Sequence, residues 1–96
     1  MATDLQAADL LVMHAADKAD QGIMEPDDAA KAKLFASEAV GRAADSAIQI
    51  YGGMGLMEEL PIERLWRDAR FDRIWDGTSE IQRHIISRSL LRQHGA

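Results

Sequence analysis

Asp76 stands where two sequence patterns meet. Upstream, Arg67 to Trp75 is a run of alternating charge with Phe71, Ile74 and Trp75 set into it; downstream, Thr78 and Ser79 are residue types that start helices. The pair Asp76-Gly77 therefore falls on a joint between two helices. A carboxylate in that place can accept a proton, and the glycine lets another molecule approach the backbone closely. The N–H groups at the start of the next helix add partial positive charge, which suits an anion. An acid–base group next to an anion-friendly helix start suggests a site. The same two residues also read as plain turn chemistry or as an N-terminal cap.

The other candidates are weaker. His14, His84 and His94 sit apart with no metal-ligand spacing, so they read neither as ligands nor as catalysts. Gly52-Gly53-x-Gly55 follows no strand, so by spacing alone it is a helix stop and a loop rather than a nucleotide fingerprint. The chain has no cysteine, which excludes thiolate chemistry and a disulfide framework. A net charge of −5 gives no basic footprint for nucleic acid. No apolar run approaches the ~18 residues that a membrane span needs, and no secretory signal opens the sequence. With 47% hydrophobic residues over 96 positions, one small domain, residues 1–96, is expected, soluble and intracellular.

Four helices must position these residues. Thr3-x-x-Gln6 reads as a capping box, after which Leu5, Ala8, Val12, Ala15 and Ala19 fall on one face as far as Asp20 to Gly22. Glu25-Pro26-Asp27-Asp28 starts a second helix, with proline pre-set for an early position and acids complementing the dipole. Ala32, Ala36, Ala39, Ala43, Ala47 and Ile50 hold its inner face to Tyr51, about 25 residues or roughly 37 Å. Gly52-Gly53 ends it, and Met54 to Leu60 reads as a short loop. Pro61 opens a third helix with Ile62, Leu65, Trp66 and Ala69 inward and Glu63 paired to Arg67. The fourth runs from about Ser79 to Gln93, capped by Ser79-x-x-Gln82, with Ile81, Ile85, Ile86, Leu90 and Leu91 as its apolar face. The fold class is all-α, an antiparallel helical bundle of about four helices.

Three segments, in order, resemble the acyl-CoA dehydrogenase family. Arg67-Asp68-Ala69 followed by Ile74-Trp75-Asp76-Gly77-Thr78-Ser79-Glu80-Ile81-Gln82-Arg83 is similar to the family's R-D-A…I-Y-E-G-T-x-x-I-Q-R wording. Gln49-Ile50-Tyr51-Gly52-Gly53-Met54-Gly55 resembles Q-x-x-G-G-x-G, and Pro61-Ile62-Glu63-Arg64 resembles P-x-E-R/K. The resemblance runs from about Lys33 to Leu91 and more faintly through the first helix.

The resemblance implies α,β-desaturation of an acyl-CoA thioester with FAD as hydride acceptor. Asp76 occupies the slot of the family's α-proton base, and Gly77 lies against the acyl-CoA. Thr78 and Glu80 match positions at the flavin nucleotide. Gln49, Gly52 and Gly53 match a segment that reaches the FAD of a neighbouring subunit, so a homo-oligomer is implied. An electron-transfer flavoprotein or another acceptor reoxidises the flavin, in the cytoplasm or, in a eukaryote, the mitochondrial matrix. Two departures accompany the resemblance. Aspartate is one methylene shorter than the usual glutamate, which places its carboxylate about 1 Å short on an unchanged backbone, and a shift of that size can cost on the order of a hundredfold in rate. The matched segments also belong to the tail of the family's fold, so the isolated chain is expected to bind no FAD and to be inactive. A non-catalytic helical oligomerisation or interaction module is the alternative reading.

Overall fold

The computed structural model describes residues 1–95. Four helices follow one another: α1 (Ala2–Asp20), α2 (Pro26–Tyr51), α3 (Ile62–Phe71) and α4 (Ser79–Gln93), with a 3₁₀ turn over Gly52–Leu56. Their ends fall where local chemistry puts them. Gly22, at φ +71°, closes α1 in a Schellman arrangement: its N–H donates to the Ala19 carbonyl at 3.0 Å, and Ile23 N–H to the Lys18 carbonyl at 2.9 Å. Pro26 takes the first position of α2, and Asp28 reaches back to accept from Glu25 N–H at 3.0 Å. Gly52, at φ +66°, ends α2.

Three local expectations are corrected. The Thr3 capping box does not form, because α1 already begins at Ala2 and Thr3 lies inside it. Thr78, not Ser79, caps α4: its Oγ1 accepts from Ile81 N–H at 3.2 Å. Met54 to Leu60 is not wholly loop, since Gly52–Leu56 winds into a 3₁₀ turn. Gly55 is buried there, and a Cβ on it would come within 2.9 Å of the Ile48 carbonyl oxygen.

α2 is the spine of the molecule. Every other helix packs on it, and among the described residues α1 touches neither α3 nor α4, and α3 does not touch α4. α3 lies by the C-terminal half of α2, where it also meets the 3₁₀ turn. α4 begins beside Glu38 and runs antiparallel towards Asp27, where Ser89 arrives. The four helices thus form three rows, with α3 and α4 end to end in one of them.

The contacts between rows are made by small residues. Among the described residues, Ala8 and Ala15 of α1, Ala30, Ala32 and Ala39 of α2 and Ala69 of α3 are the buried apolar residues, and no large side chain is fully buried. Alanine at a crossing lets helix axes approach closely. The expected apolar faces are buried only in part. Leu5 is 72% and Ile50 75% exposed, and Val12 and Leu65 are exposed as well. On α4 the inward side chains are Ser79, Gln82 and Ser89, while Ile81, Leu90 and Leu91 point away. The cause lies on α2, whose Glu38 and Asp27 carboxylates draw the serines inward. The result is an open, elongated body. Its radius of gyration of 15.9 Å exceeds the roughly 12–13 Å of a compact chain this long. Its accessible surface of 6816 Å² likewise exceeds the roughly 5,500 Å² expected for its mass.

Candidate active site

The α3–α4 joint passes through two residues with positive φ, Asp76 at +52° and Gly77 at +95°, and carries the chain on in the same direction along α2. Aspartate is among the few non-glycine residues that tolerate the left-handed region. At Gly77 any side chain would be strained by the φ of +95°, and a Cβ would also displace the Gln82 amide, whose Nε2 would stand 2.5 Å away. Strained backbone of this kind persists only where its surroundings hold it. Here Lys33 of α2 does so. Its Nζ donates to the carbonyls of Asp72 at 2.8 Å, Trp75 at 3.0 Å and Gly77 at 2.6 Å. Beyond the joint, Ser79 N–H donates to the Arg73 carbonyl at 3.1 Å, so two of the first N–H groups of α4, those of Ser79 and Ile81, are already bonded within the chain. The start of α4 is therefore less open to an anion than the sequence suggests.

A second polar cluster sits behind the joint. Ser79 Oγ donates to Glu38 Oε1 at 2.8 Å, and Arg73 Nε lies 3.2 Å from the same oxygen, with Arg83 at 3.8 Å. The Arg73 contact is an ion pair without hydrogen-bond alignment. Burial pushes the Glu38 carboxyl up, but the Ser79 hydroxyl and the two guanidinium groups outweigh it and leave it below its usual value. Glu38 is thus a charged anchor that ties α4 and the end of α3 to α2.

Asp76 itself makes no hydrogen bond among the described residues and lines an open groove of about 970 Å³. The floor is α2, chiefly Ala32, Ala36, Ala39, Val40 and Ala43; one wall is α1, with Leu5, Ala8, Val12 and Ala15. The opposite wall is the joint, with Asp72, Trp75 and Asp76. Trp75 stacks on Phe71 with ring centroids 5.7 Å apart, and its Nε1 donates to Asp72 Oδ1 at 2.9 Å. The groove is thus apolar along floor and wall, with a carboxylate free to accept a proton at its edge.

The residues singled out from sequence fall into two places. Asp76, Gly77, Thr78 and Glu80 are together at the joint. Gln49, Gly52 and Gly53 are exposed at the far end of α2, about 24 Å along the helix from Lys33. A Cβ added to Gly52 or Gly53 would meet nothing within 4 Å, so that end is open to close approach by another molecule. Lys33 and Glu38 escaped the sequence reading, since single charges on a long helix look like its solvated side; the one signal was that both flank the alanine stripe. Among the described residues no cluster of His, Cys, Asp or Glu could hold a metal, and no helix is long and apolar enough to cross a membrane.

Comparison with known proteins adds three findings. The family model for the acyl-CoA dehydrogenase C-terminal domain matches residues 1–91. An acyl-CoA dehydrogenase of Bacillus subtilis is 53% identical over 91 residues, which are 95% of this chain and 24% of that protein. Two solved structures superpose closely. One, described for the electron transferring flavoprotein of Acidaminococcus fermentans, has a TM-score of 0.93 at 41% identity over 96% of this chain and 24% of its own. The butyryl-CoA dehydrogenase of Megasphaera elsdenii gives 0.92 at 41% identity, over 95% of this chain and 24% of its own. The chain spans about a quarter of the length of these relatives.

Proposed function

The chain belongs to the acyl-CoA dehydrogenase family, where it corresponds to the C-terminal domain, and on that premise we propose that it serves an FAD-dependent desaturation of acyl-CoA thioesters with Asp76 as the α-proton base. The observation that carries this reading is the geometry of Asp76. Among the described residues its carboxylate is unbonded, stands at the edge of an apolar groove, and is presented by a left-handed backbone that Lys33 holds at three carbonyls.

The chemistry follows from that placement. An α-proton of a thioester is weakly acidic, so a base must be held at fixed reach and in the correct protonation state. Asp76 takes the α-proton, the electron pair of that C–H bond becomes the new carbon–carbon π bond, and the β C–H pair leaves with the hydride. FAD, when bound, supplies the hydride acceptor. The residues at the far end of α2 fit a flat cofactor, because both glycines leave open space and Gln49 offers an exposed amide. Their separation from Asp76 accords with contact to the flavin of a neighbouring subunit, as a homo-oligomer provides. At the joint, Thr78 accepts from Ile81 N–H and keeps its own proton to donate. Gly77 bounds the acyl-CoA, and Glu80 is exposed beside it. An electron-transferring flavoprotein is the acceptor we assign, in line with the Acidaminococcus fermentans structure.

The test is anaerobic flavin reduction by acyl-CoA in the full-length enzyme that carries this segment. Asp76→Asn keeps size and removes the base, so reduction should fall by several orders of magnitude with flavin content unchanged. Reduction of the Asn variant at the parental rate would remove Asp76 from the role. The bare apolar faces of α1 and α4 also favour a second reading, a non-catalytic interaction module; that reading predicts no reduction by any acyl-CoA in parent or variant.

A further inference from the structure

We infer that Lys33 is the positioning residue of the site, setting the reach of the Asp76 carboxylate by holding the backbone on both sides of it; the inference rests on the assignment of Asp76 as base. A lysine ammonium has three donors and no acceptor. Lys33 uses all three on one short segment, at 2.8 Å to Asp72, 3.0 Å to Trp75 and 2.6 Å to Gly77. Two of those carbonyls, on Trp75 and Gly77, flank Asp76 directly. The third, on Asp72, sits at the C-terminal end of α3, where a cation also complements the helix dipole. Lys33 forms no ion pair with a carboxylate among the described residues, so its charge is directed at this backbone. Among the described residues no other side chain bonds the backbone of 72–77 from outside the α3–α4 segment; the remaining side-chain bond, from Gln82 to Gly77, is 3.4 Å long and comes from α4 itself.

The consequence is specific. Asp76 lies at φ +52°, a conformation that costs free energy for a residue with a side chain, in a joint that the chain itself closes only by the bond from Ser79 N–H to the Arg73 carbonyl and the weak Gln82 contact. With the ammonium removed, three convergent carbonyls repel one another and the segment relaxes towards negative φ. The carboxylate then moves by about an ångström or more while the groove, built by α1 and α2, stays in place. Arginine cannot substitute fully, because its planar fork presents donors on separate nitrogens rather than three at one point.

The experiment uses the full-length flavoenzyme carrying this segment, with Lys33→Met and Lys33→Arg beside Asp76→Asn. The limiting rate of flavin reduction per bound flavin and the Kd for acyl-CoA are measured for each. Lys33→Met should slow reduction about a hundredfold, the cost of a 1 Å misplacement, with Kd changed less than threefold. Lys33→Arg should fall between it and the parent. Amide hydrogen exchange across residues 72–78 should quicken in Lys33→Met while that of α1 does not. A parental reduction rate in Lys33→Met while Asp76→Asn is slow overturns the inference alone; a parental rate in Asp76→Asn overturns the base assignment. Equal losses of rate and of acyl-CoA binding also overturn it, since a general structural role produces them. If the Met variant holds no flavin, the Arg variant is judged by the same split, and loss of flavin in both assigns Lys33 to the fold as a whole.

Discussion

Gly53 and Gly55 stand two residues apart in one turn, and their substitution separates fold from function. A Cβ at Gly55 would meet the Ile48 carbonyl oxygen at 2.9 Å and its Cα at 3.0 Å. Both are main-chain atoms inside α2, so they cannot swing aside and the 3₁₀ turn must lift. Overpacking of this kind costs typically about 1–3 kcal/mol. At Gly53 the added methyl meets nothing within 4 Å, and its φ is not positive. Gly53→Ala should therefore leave stability unchanged within about 0.5 kcal/mol. For a domain of this length 1 kcal/mol moves Tm by roughly 4–8 °C. Thermal unfolding followed by far-UV circular dichroism should show Gly55→Ala melting at least ~4 °C below the parent, with Gly53→Ala level with it. In the full-length enzyme, on the proposed role of Gly53 at the flavin, Gly53→Ala should weaken FAD binding through the open face, although it does not touch the fold. Equal melting of the two variants, or tight FAD binding by Gly53→Ala, would refute the reasoning.

Gly41 lies within α2, where a Cβ would stand 3.7 Å from Arg73 Cδ in ordinary contact, so Gly41→Ala should stabilise the isolated chain by about 0.5–1 kcal/mol, read as a higher Tm. The carboxyls of Asp27, Asp28 and Glu38 are held below their usual values, for Asp27 chiefly by the Lys31 ammonium and for Asp28 by Glu25 N–H and then Lys18. Depressed carboxylates contribute stability above their unfolded values, 3.8 for the aspartates and 4.5 for Glu38, and lose it as pH falls through the folded values; Tm should drop below about pH 4.5, less steeply in Asp28→Asn. Lys18 is raised from 10.5 through its bond to Asp28, so its contribution is present below that pH and is lost only in strong alkali. The exposed Leu5 and Leu10 of α1 and Ile81, Leu90 and Leu91 of α4 should make the isolated chain associate, and light scattering at tens of micromolar should report a dimer or larger species; a monomer would count against it.

Helix limits were legible because single residues set them. Pro26 fixes its own φ, Gly22 and Gly52 take up positive φ without steric cost, and Asp76-Gly77 marks the joint for the same reason as the glycines. Burial was legible only where alanine met alanine. Leu5, Val12, Ile50, Leu65, Leu90 and Leu91 have helical spacing, yet spacing reports that a face is apolar and not what covers it. α2 is one helix wide and covers only the small residues nearest to it. The polar inner face of α4 was hidden for a related reason: Ser79 and Ser89 look like surface until the carboxylates of Glu38 and Asp27 are placed opposite them. Asp76 was identifiable from its motif, but the lysine 43 positions earlier that holds its neighbours became visible only through the distances from Nζ to three carbonyls.

Whether Asp76 removes the α-proton can be measured without waiting for hydride transfer. In heavy water, the full-length enzyme should wash deuterium into the α-carbon of an acyl-CoA whose β-carbon cannot be oxidised, followed by proton nuclear magnetic resonance of the thioester. The parent should exchange the α-proton, Asp76→Asn should bind the same thioester and exchange none, and Asp76→Glu should restore exchange in part or in full. Exchange at the parental rate in Asp76→Asn would contradict the assignment of this carboxylate as the base.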